Sequence, residues 1–277
     1  MTTIDIKPLT GAIGARIRGV SLKALDDQQF AQIREAFLKY CVLVFPDQHL
    51  EPEPQFSFAK RWGEIAVTPM LKYVDGWPGL LRLTNAGKAN TITENWHYDS
   101  TFISAPHALT ILAAQVLPPA GGDTMWSNQY LAYETLSPGM KKLLEGVRAK
   151  FTGARIARRS GTEGEPPHAF HPVVRTHPET GRKALFIGHP GDTVPCFEDM
   201  SEAETRPLLD YLYEHSVKPD RVYRHLWQAG DVVMWDNRCT MHRGTAFDDL
   251  RWRRDVQRAT VSDVANSCEQ AGVQIAA

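Results

Sequence analysis

Hydrophobic positions that recur every three or four residues predict several helices along the chain. Residues 26–41 have this spacing behind an Asp-Asp start, which predicts an amphipathic helix, and residues 53–63 resemble a second one. Further helices are expected at 137–150 and 201–215. The first of these begins with Ser-Pro and the second with Ser-x-x-Glu, which are both typical of helix N-termini.

Short apolar or alternating runs, separated by turn residues, predict strands in the rest of the chain. These runs are "CVLVFPD" (41–47), three segments between 91 and 126, a hairpin around 179–181, and "RVYRHLW", "GDVVMWD" and "RRDVQRATV" in the last third. Short strands with a few helices predict a mostly β fold, an all-β barrel or jelly roll with helical insertions packed outside. The length of 277 residues suits one large domain or two small ones.

The segment 152–170 interrupts this pattern of short elements. Its sequence, "TGARIARRSGTEGEPPHAF" from residue 152, is rich in glycine, proline and charged residues. Loops of this length often act as lids or are disordered. The hypothesis is therefore a long loop that closes over a bound ligand.

Composition and charge narrow the possible functions. Apolar residues make up 43% and charged residues 23%, as in ordinary globular proteins, and the net charge is −1. A general attraction to nucleic acid or to an anionic membrane is therefore not expected. The N-terminus lacks a signal-peptide pattern, no apolar run is long enough to span a bilayer, and the four cysteines are scattered. These features predict a cytoplasmic protein with reduced thiols.

A histidine and an acidic residue two positions apart are candidate metal ligands, because side chains at i and i+2 of a strand share one face. The spacing begins at three histidines, His49, His97 and His177. His177 precedes a proline and a turn-like stretch, and His49 is followed by "EPEP", so neither suits a strand interior. His97, with Asp99, lies among strand-forming residues. His97 and Asp99 are therefore the candidate pair.

A third ligand is expected within "GDVVMWDNRCTMHRG" (230–244). The pattern predicts a buried strand, a turn at Asp-Asn-Arg, and a returning strand with His242 near its start. Two histidines and one carboxylate form the facial triad of non-haem Fe(II) oxygenases, which leaves three octahedral positions open. Taken by itself, His242 is better explained as a hydrogen-bonded interior histidine.

Two arginines follow at a spacing that suits one face of a strand. Arg254 lies twelve residues after His242 and Arg258 four residues later, and four is an even step along a strand. A guanidinium can hold a carboxylate through two parallel hydrogen bonds and stays charged. The stretch 251–258 is dense in charge, so a solvated strand edge is the alternative interpretation.

Together these residues resemble the taurine dioxygenase / 2,4-dichlorophenoxyacetate dioxygenase (TauD/TfdA) family of Fe(II)- and 2-oxoglutarate-dependent oxygenases. The resemblance extends from about residue 4 to residue 261. It rests on four motifs in order and spacing: "NWHYDSTF" (95–102), "PPAGGDTMW" (118–126), "GDVVMWDNRCTMHRG" (230–244) and "RRDVQRAT" (253–260). It implies a double-stranded β-helix formed by a single domain over 1–277, with an integral N-terminal α/β portion at 1–90.

The resemblance also implies a metal centre and an assembly. His97, Asp99 and His242 would hold the iron, with the co-substrate 2-oxoglutarate and O2 at the open positions. Family members suggest a homodimer or homotetramer with a small anionic molecule as the substrate.

The same resemblance implies roles for residues around the metal. Thr124 would hydrogen-bond 2-oxoglutarate, and Arg254 would anchor the end of that molecule far from the metal, with Arg253 as the alternative anchor. Arg258 would contact the other carboxylate or an anionic group of the substrate. Trp235 would line the pocket near the iron.

The substrate class is the least determined part of the prediction. Taurine-specific members have a histidine where this chain has Thr68 and an asparagine where it has Thr93, which argues against taurine. A substrate with an acidic head and an apolar body is favoured, such as a phenoxyalkanoate, alkyl sulfate or sulfonate. Hydroxylation of its C–H bond would accompany decarboxylation of 2-oxoglutarate to succinate and CO2. Hydroxylation of an amino acid or related metabolite is the alternative.

Two other functional classes use similar residues. A zinc hydrolase could bind its metal through the same three side chains, but it has no need of the threonine and arginine expected to bind a second anion. A jelly-roll binding module without catalysis would use the three side chains only as a polar core.

Overall fold

The computed structural model describes residues 4–67, 73–85, 94–161 and 163–263. Within these ranges the chain is mostly β, as the sequence predicts. The strands are β1 (Asp5–Pro8), β2 (Ala15–Arg18), β3 (Val42–Phe45), β4 (Tyr73–Val74), β5 (Trp77–Thr84), β6 (Leu109–Val116), β7 (Thr124–Asn128), β8 (Arg148–Thr152), β9 (His168–Pro172), β10 (Val174–Thr176), β11 (Lys183–Leu185), β12 (Val222–His225), β13 (Val232–Asp236), β14 (Thr240–Gly244) and β15 (Asp255–Val261). The α-helices are α1 (Asp27–Tyr40), α2 (Pro52–Lys60), α3 (Gln129–Glu134), α4 (Pro138–Leu143), α5 (Ala154–Ser160) and α6 (Glu202–Ser216).

The strands form one large sheet, a smaller sheet and two paired segments. The large sheet has the order β1-β2-β3-β13-β6-β15-β5-β4, and the smaller one has the order β12-β7-β14. Nearly all neighbours are antiparallel, while β2 and β3 are parallel. Strands distant in sequence are neighbours, since β6 lies between β13 and β15. This arrangement brings the middle and the end of the chain together.

The central strands of the large sheet are buried on both faces. On β13, Val232 and Met234 pack in one apolar cluster, while Val233 and Trp235 pack in another. The first cluster includes side chains of α1 and α2, so those helices cover one face. The second includes Trp126 of the smaller sheet, whose ring lies 5.5 Å from that of Trp235. The two sheets therefore pack against each other on the other face.

The helix N-termini agree with the sequence signals, but one predicted helix and one predicted loop are wrong. Asp26 and Ser201 form capping boxes at the starts of α1 and α6. The helix expected at 137–150 ends at Leu143, and β8 begins at residue 148. The segment 152–170 is not a long loop, because it contains α5 and the start of β9. Residues 148–152 form strand β8, with alternate residues buried, and pair with β9.

Buried charges fix the turn between β13 and β14. The Asp236 carboxylate accepts hydrogen bonds from Arg238 Nη2 at 2.7 Å and from His177 Nε2 at 3.0 Å. All three residues are buried. A buried charge is tolerated when it is paired and hydrogen-bonded. The turn therefore holds the start of β14, and with it His242, in a defined position.

Two residues used in the substrate prediction lie outside the part of the chain that the structure describes. Thr68 and Thr93, which bear on taurine as a substrate, lie outside the described residues. Among the described residues, every helix is too short or too polar to cross a bilayer.

Candidate metal centre

Three predicted ligands converge at one place in the fold. The ligand atoms of His97, Asp99 and His242 all lie within 4.8 Å of one another. His242 is the third residue of β14, as the sequence predicts. The backbones of His97 and His242 exchange two hydrogen bonds of 2.9 Å, which brings the segment of His97 beside β14.

The expectation of a strand around His97 is wrong in detail. His97 makes a single isolated bridge with His242, and the chain turns at Ser100, which has a φ of 55°. The carboxylate of Asp99, the residue before this turn, lies close to the two imidazoles. One bridge and one turn, and not a continuous strand, bring the two ligands of the His-x-Asp motif together.

The imidazoles are held as neutral rings. His97 Nδ1 lies 2.7 Å from the Asn95 carbonyl oxygen, so Nδ1 carries the proton and Nε2 keeps a free lone pair. Burial lowers the pKa of His97, and burial together with the neighbouring His97 lowers the pKa of His242 to about 3. A neutral imidazole is the form that binds a metal ion.

The two oxygens of the Asp99 carboxylate have different surroundings. Oδ1 lies 3.8 Å from His242 Nε2, while Oδ2 accepts a 2.9 Å hydrogen bond from Thr110 Oγ1 and forms an ion pair with Arg258 Nη2 at 2.9 Å. Burial alone would raise the pKa of Asp99, but the Arg258 guanidinium, aided by the nearby imidazoles, holds that pKa well below its usual range. Asp99 is therefore ionised.

These features fit a divalent first-row metal ion. The donors are two neutral imidazoles and one carboxylate, the set found in non-haem Fe(II) centres. His242 Nε2 and Asp99 Oδ1 face each other at 3.8 Å, too far for a hydrogen bond. A metal ion between these atoms would satisfy both.

Thr124 and Arg254 both lie close to Trp227. Thr124 begins β7, whose neighbour β14 carries His242, and its hydroxyl accepts a 3.0 Å hydrogen bond from Trp227 Nε1. The Arg254 guanidinium lies 5.9 Å from the Trp227 ring, and its Nε donates to the Gly122 carbonyl at 3.1 Å. Burial lowers the pKa of Arg254 to about 10, so the side chain remains charged at neutral pH.

The glycine pair before Thr124 lets two backbone segments approach. A Cβ on Gly121 would lie 2.4 Å from the Ala246 carbonyl oxygen, and one on Gly122 would lie 3.1 Å from Arg254 Cδ. Both glycines have a positive φ. The motif "PPAGGDTMW" therefore contains the glycines because larger residues would push away the loop after β14 and the guanidinium of Arg254.

Arg253 and Arg258 have different environments from Arg254. The Arg253 side chain is half exposed and pairs with the buried carboxylate of Asp255. Arg258 lies within β15, where its Nε donates to Thr260 Oγ1 at 3.0 Å. The four-residue spacing of Arg254 and Arg258 predicts a single strand through both residues. In fact β15 begins at Asp255, next to an irregularity in its pairing with β6.

Trp235 packs against the metal centre from the inside of the fold. Its ring lies 4.8 Å from that of His242, and only 2% of its surface is exposed. Its Nε1 donates a 2.8 Å hydrogen bond to Asn237 Oδ1. The residue thus supports His242, whose Nδ1 is buried and makes no hydrogen bond with the described residues.

Sequence reasoning missed three residues of this region: Thr110, Asn237 and Trp227. Thr110 is the one hydroxyl within the apolar run "ALTILAA", and an isolated polar residue in a buried strand is a signal, because it needs a partner. The sequence around Asn237 indicates only a turn. Nothing in the sequence around Trp227 distinguishes it from an ordinary core tryptophan.

Helix α5 lies beside the segment that carries His97. Arg155 Nη1 donates to Asp192 Oδ2 at 2.9 Å, and the same oxygen accepts from Asn95 Nδ2 at 3.2 Å. Asn95 is two residues before His97. The predicted lid segment is therefore connected to the metal centre through one carboxylate.

Comparison with known proteins identifies the family. The family model described as "Taurine catabolism dioxygenase TauD, TfdA family" matches residues 5–260. This chain belongs to the TauD/TfdA family. The family resemblance and the reaction class expected from the sequence, an Fe(II)- and 2-oxoglutarate-dependent dioxygenase, are thus confirmed.

Relatives of the TauD/TfdA chain include enzymes with named substrates. It is 35% identical to the (S)-phenoxypropionate/alpha-ketoglutarate-dioxygenase of Sphingobium herbicidovorans, over 88% of this chain and 90% of that protein. It is 34% identical to the alpha-ketoglutarate-dependent sulfate ester dioxygenase of Pseudomonas putida, over 94% of this chain and 89% of that protein. A solved taurine dioxygenase of Burkholderia xenovorans is 33% identical and superimposes with a TM-score of 0.82, covering 94% and 90% of the two chains.

Proposed function

We propose that this protein uses Fe(II), 2-oxoglutarate and O2 to hydroxylate a C–H bond of a small organic acid. The observation that carries the proposal is the convergence of His97, Asp99 and His242, as two neutral imidazoles and one ionised carboxylate, in a TauD/TfdA chain. Iron bound there would supply the oxidation chemistry, in which decarboxylation of 2-oxoglutarate to succinate and CO2 provides two electrons and the substrate provides two.

Thr124 and Arg254 are proposed to hold 2-oxoglutarate. Arg254 is buried and charged, and a guanidinium offers a carboxylate two parallel donors. Thr124 provides a hydroxyl on the strand beside His242. The exposed position of Arg253 and its pairing with Asp255 favour Arg254 as the anchor.

Arg258 is proposed to recognise an anionic group of the substrate or of 2-oxoglutarate. Its guanidinium lies beside Asp99 with 19% of the side chain exposed, so a ligand can reach it. Two relatives are named for phenoxypropionate and for sulfate esters, which are both small anions with an apolar body. We assign this chain the same substrate class.

The remaining predictions are part of the same proposal. The large and small sheets are the two halves of a double-stranded β-helix with helices packed outside. The chain forms one domain and assembles as a homodimer or homotetramer, which light scattering after gel filtration measures. Its proposed location is the cytoplasm.

The first experiment separates this function from the two other classes. Under argon, Fe(II) and then 2-oxoglutarate are added to the purified protein, and a weak visible charge-transfer band is expected. Folded, metal-loaded protein without this band would favour a zinc hydrolase. Folded protein that binds no metal would favour a binding module. The Asp99→Ala variant is the control and should show no band.

The second experiment identifies the substrate class. Oxygen uptake and succinate formation are measured with a phenoxyalkanoate, an alkyl sulfate, an alkyl sulfonate, taurine and a panel of amino acids. Stimulated uptake with the first three compounds is expected. Stimulation by amino acids alone would contradict the proposed substrate class while leaving the reaction class intact.

A further inference from the structure

The Asp99 carboxylate has one oxygen directed at the candidate metal position and one held by the protein. Oδ1 faces His242, while Oδ2 accepts a hydrogen bond from Thr110 and forms an ion pair with Arg258. Groups that hold a ligand from behind fix its orientation and so influence metal affinity. Two separate arms therefore position this carboxylate, one through Thr110 and one through Arg258.

The arm through Thr110 is a chain of three hydrogen bonds with a fixed direction. An indole N–H can only donate, so the 2.8 Å contact from Trp235 Nε1 identifies Oδ1 as the Asn237 atom that faces the indole. The Asn237 amide nitrogen then donates to Thr110 Oγ1 at 3.0 Å. Because Thr110 Oγ1 accepts this hydrogen bond, its single hydroxyl proton is free to be donated to Asp99 Oδ2 at 2.9 Å.

This chain is built into the rigid part of the fold. Trp235 and Thr110 are directly opposite each other on β13 and β6, and Thr260 of β15 is opposite Thr110 on its other side. Thr110 is fully buried and Asn237 is 2% exposed. Hydrogen bonds are stronger in a buried, low-dielectric environment, and a fully satisfied buried network makes the structure around it rigid.

The arm through Arg258 differs because a ligand can compete for it. The Arg258 guanidinium is partly exposed and is the cation proposed to meet an anionic group of the substrate or of 2-oxoglutarate. An anion that pairs with the Arg258 guanidinium competes with Asp99 for the same positive charge. The Thr110 arm has no such second partner among the described residues.

We propose that Trp235, Asn237 and Thr110 form a directional hydrogen-bond relay that positions Asp99 for metal binding whether or not Arg258 is engaged by a ligand. The three are positioning residues, since the effect on the metal passes through Asp99. The inference rests on the proposed function, because it assumes a metal ion bound by Asp99.

The main test compares Thr110→Val with Thr110→Ser in the full-length protein. Valine has nearly the shape of threonine but cannot donate to Asp99, whereas serine can. The dissociation constant for Co(II) is measured by anaerobic titration of its visible absorption, without turnover. Thr110→Val is expected to weaken Co(II) binding by about 10-fold to 100-fold, the usual effect of removing an outer partner of a metal ligand. Thr110→Ser should restore most of the affinity.

Thr205→Val is the matched control for the loss of a buried hydroxyl. Thr205 is fully buried in α6, and its Oγ1 accepts a 3.0 Å hydrogen bond from the Phe197 amide and not from a group that contacts Asp99. Thr205→Val should lower the melting temperature without changing the Co(II) affinity. A metal-affinity loss of the same size in Thr205→Val would show a general effect of destabilisation and would overturn the relay.

A second variant covers the case in which Thr110→Val does not fold. Trp235→Phe keeps an aromatic ring against His242 but removes the N–H that orients Asn237, so Co(II) binding should weaken and the visible spectrum of the bound ion should change. Co(II) affinity within about threefold of wild type in whichever of the two variants folds would overturn the relay and leave the proposed function intact. Wild-type protein that binds no divalent metal would overturn the proposed function, and the relay with it.

Discussion

The protonation states of three side chains determine what the candidate centre can bind. Burial keeps the imidazoles of His97 and His242 neutral, and the Arg258 guanidinium keeps Asp99 ionised. Each group is therefore in its metal-binding form at neutral pH. The residue types were readable from the sequence, but these states depend on burial and on Arg258, which is 159 positions from Asp99.

Replacing Asp99 tests the ligand set directly. Removal of an outer partner typically lowers metal affinity or activity 10-fold to 100-fold, so Asp99→Ala, which removes a ligand, should lower turnover by more than about 100-fold. Circular dichroism should remain unchanged. Succinate formation is the measurement, and Asp210→Ala, at a partly exposed aspartate of α6, is the control. Substantial residual activity would show that Asp99 does not hold the metal.

Neighbouring arginines allow a matched test of the 2-oxoglutarate anchor. Arg254→Lys should raise the KM for 2-oxoglutarate roughly 10-fold to 100-fold with a smaller effect on kcat, because an ammonium cannot offer two parallel donors and a charge-assisted hydrogen bond contributes about 1.5–3 kcal/mol. Arg253→Lys should leave this KM unchanged, since that side chain is half exposed and its partner is the Asp255 carboxylate. The opposite pattern would assign the anchor to Arg253.

At the scale of elements, the strands and capped helices were predictable, and the exceptions have physical causes. The buried strand β13 is an apolar run bounded by turn residues, so the sequence predicts it directly. The capping box at Ser201 likewise indicates the start of a helix from neighbouring residues alone. Glycine, proline and charge made 152–170 resemble a loop. The helix α5 forms there with support from a distant contact, the ion pair of Arg155 with Asp192.

The closing role proposed for 152–170 stays a prediction that proteolysis can test. Arg158 is exposed on α5, while Lys23 lies in a separate exposed turn and is the control site. Trypsin cleavage at Arg158 should slow when Mn(II), 2-oxoglutarate and a substrate are added, because α5 is connected through Asp192 to the segment of His97. Cleavage at Lys23 should not change. Equal rates at Arg158 with and without ligands would rule out a lid.

At the scale of the whole molecule, the site lies where the two sheets pack against each other. His242 is on the smaller sheet, Arg258 is on the larger one, and the His97–Asp99 segment lies between them. Such a site depends on the stability of the entire fold. Other buried histidines contribute to that stability in a pH-dependent way. His171 is fully buried, and burial together with Arg175 lowers its pKa to about 4.

Acid should destabilise the protein partly through His171. The unfolded imidazole has an ordinary pKa of about 6.5, so between pH 6.5 and 4 the unfolded state binds a proton that the folded state does not. The free energy of unfolding should therefore fall by roughly 2 kcal/mol from this residue between pH 7 and pH 5. Urea unfolding of His171→Gln should show a weaker pH dependence than wild type. His168→Gln, at an exposed histidine on the same strand, should match wild type, and an unchanged dependence in His171→Gln would contradict the assignment.

The sequence by itself determined the residue types of the metal centre, the mostly β character, the helix starts and the family, because these are local patterns or ordered motifs. Only the tertiary structure decided which arginine is buried, how the oxygens of Asp99 are divided between metal and protein, and that Thr110, Asn237 and Trp235 act together. The physical reason is that strands far apart in sequence are neighbours in the sheet. The hydrogen bond between Thr110 and Asn237 and the ion pair between Arg258 and Asp99 cannot be predicted from the local sequence.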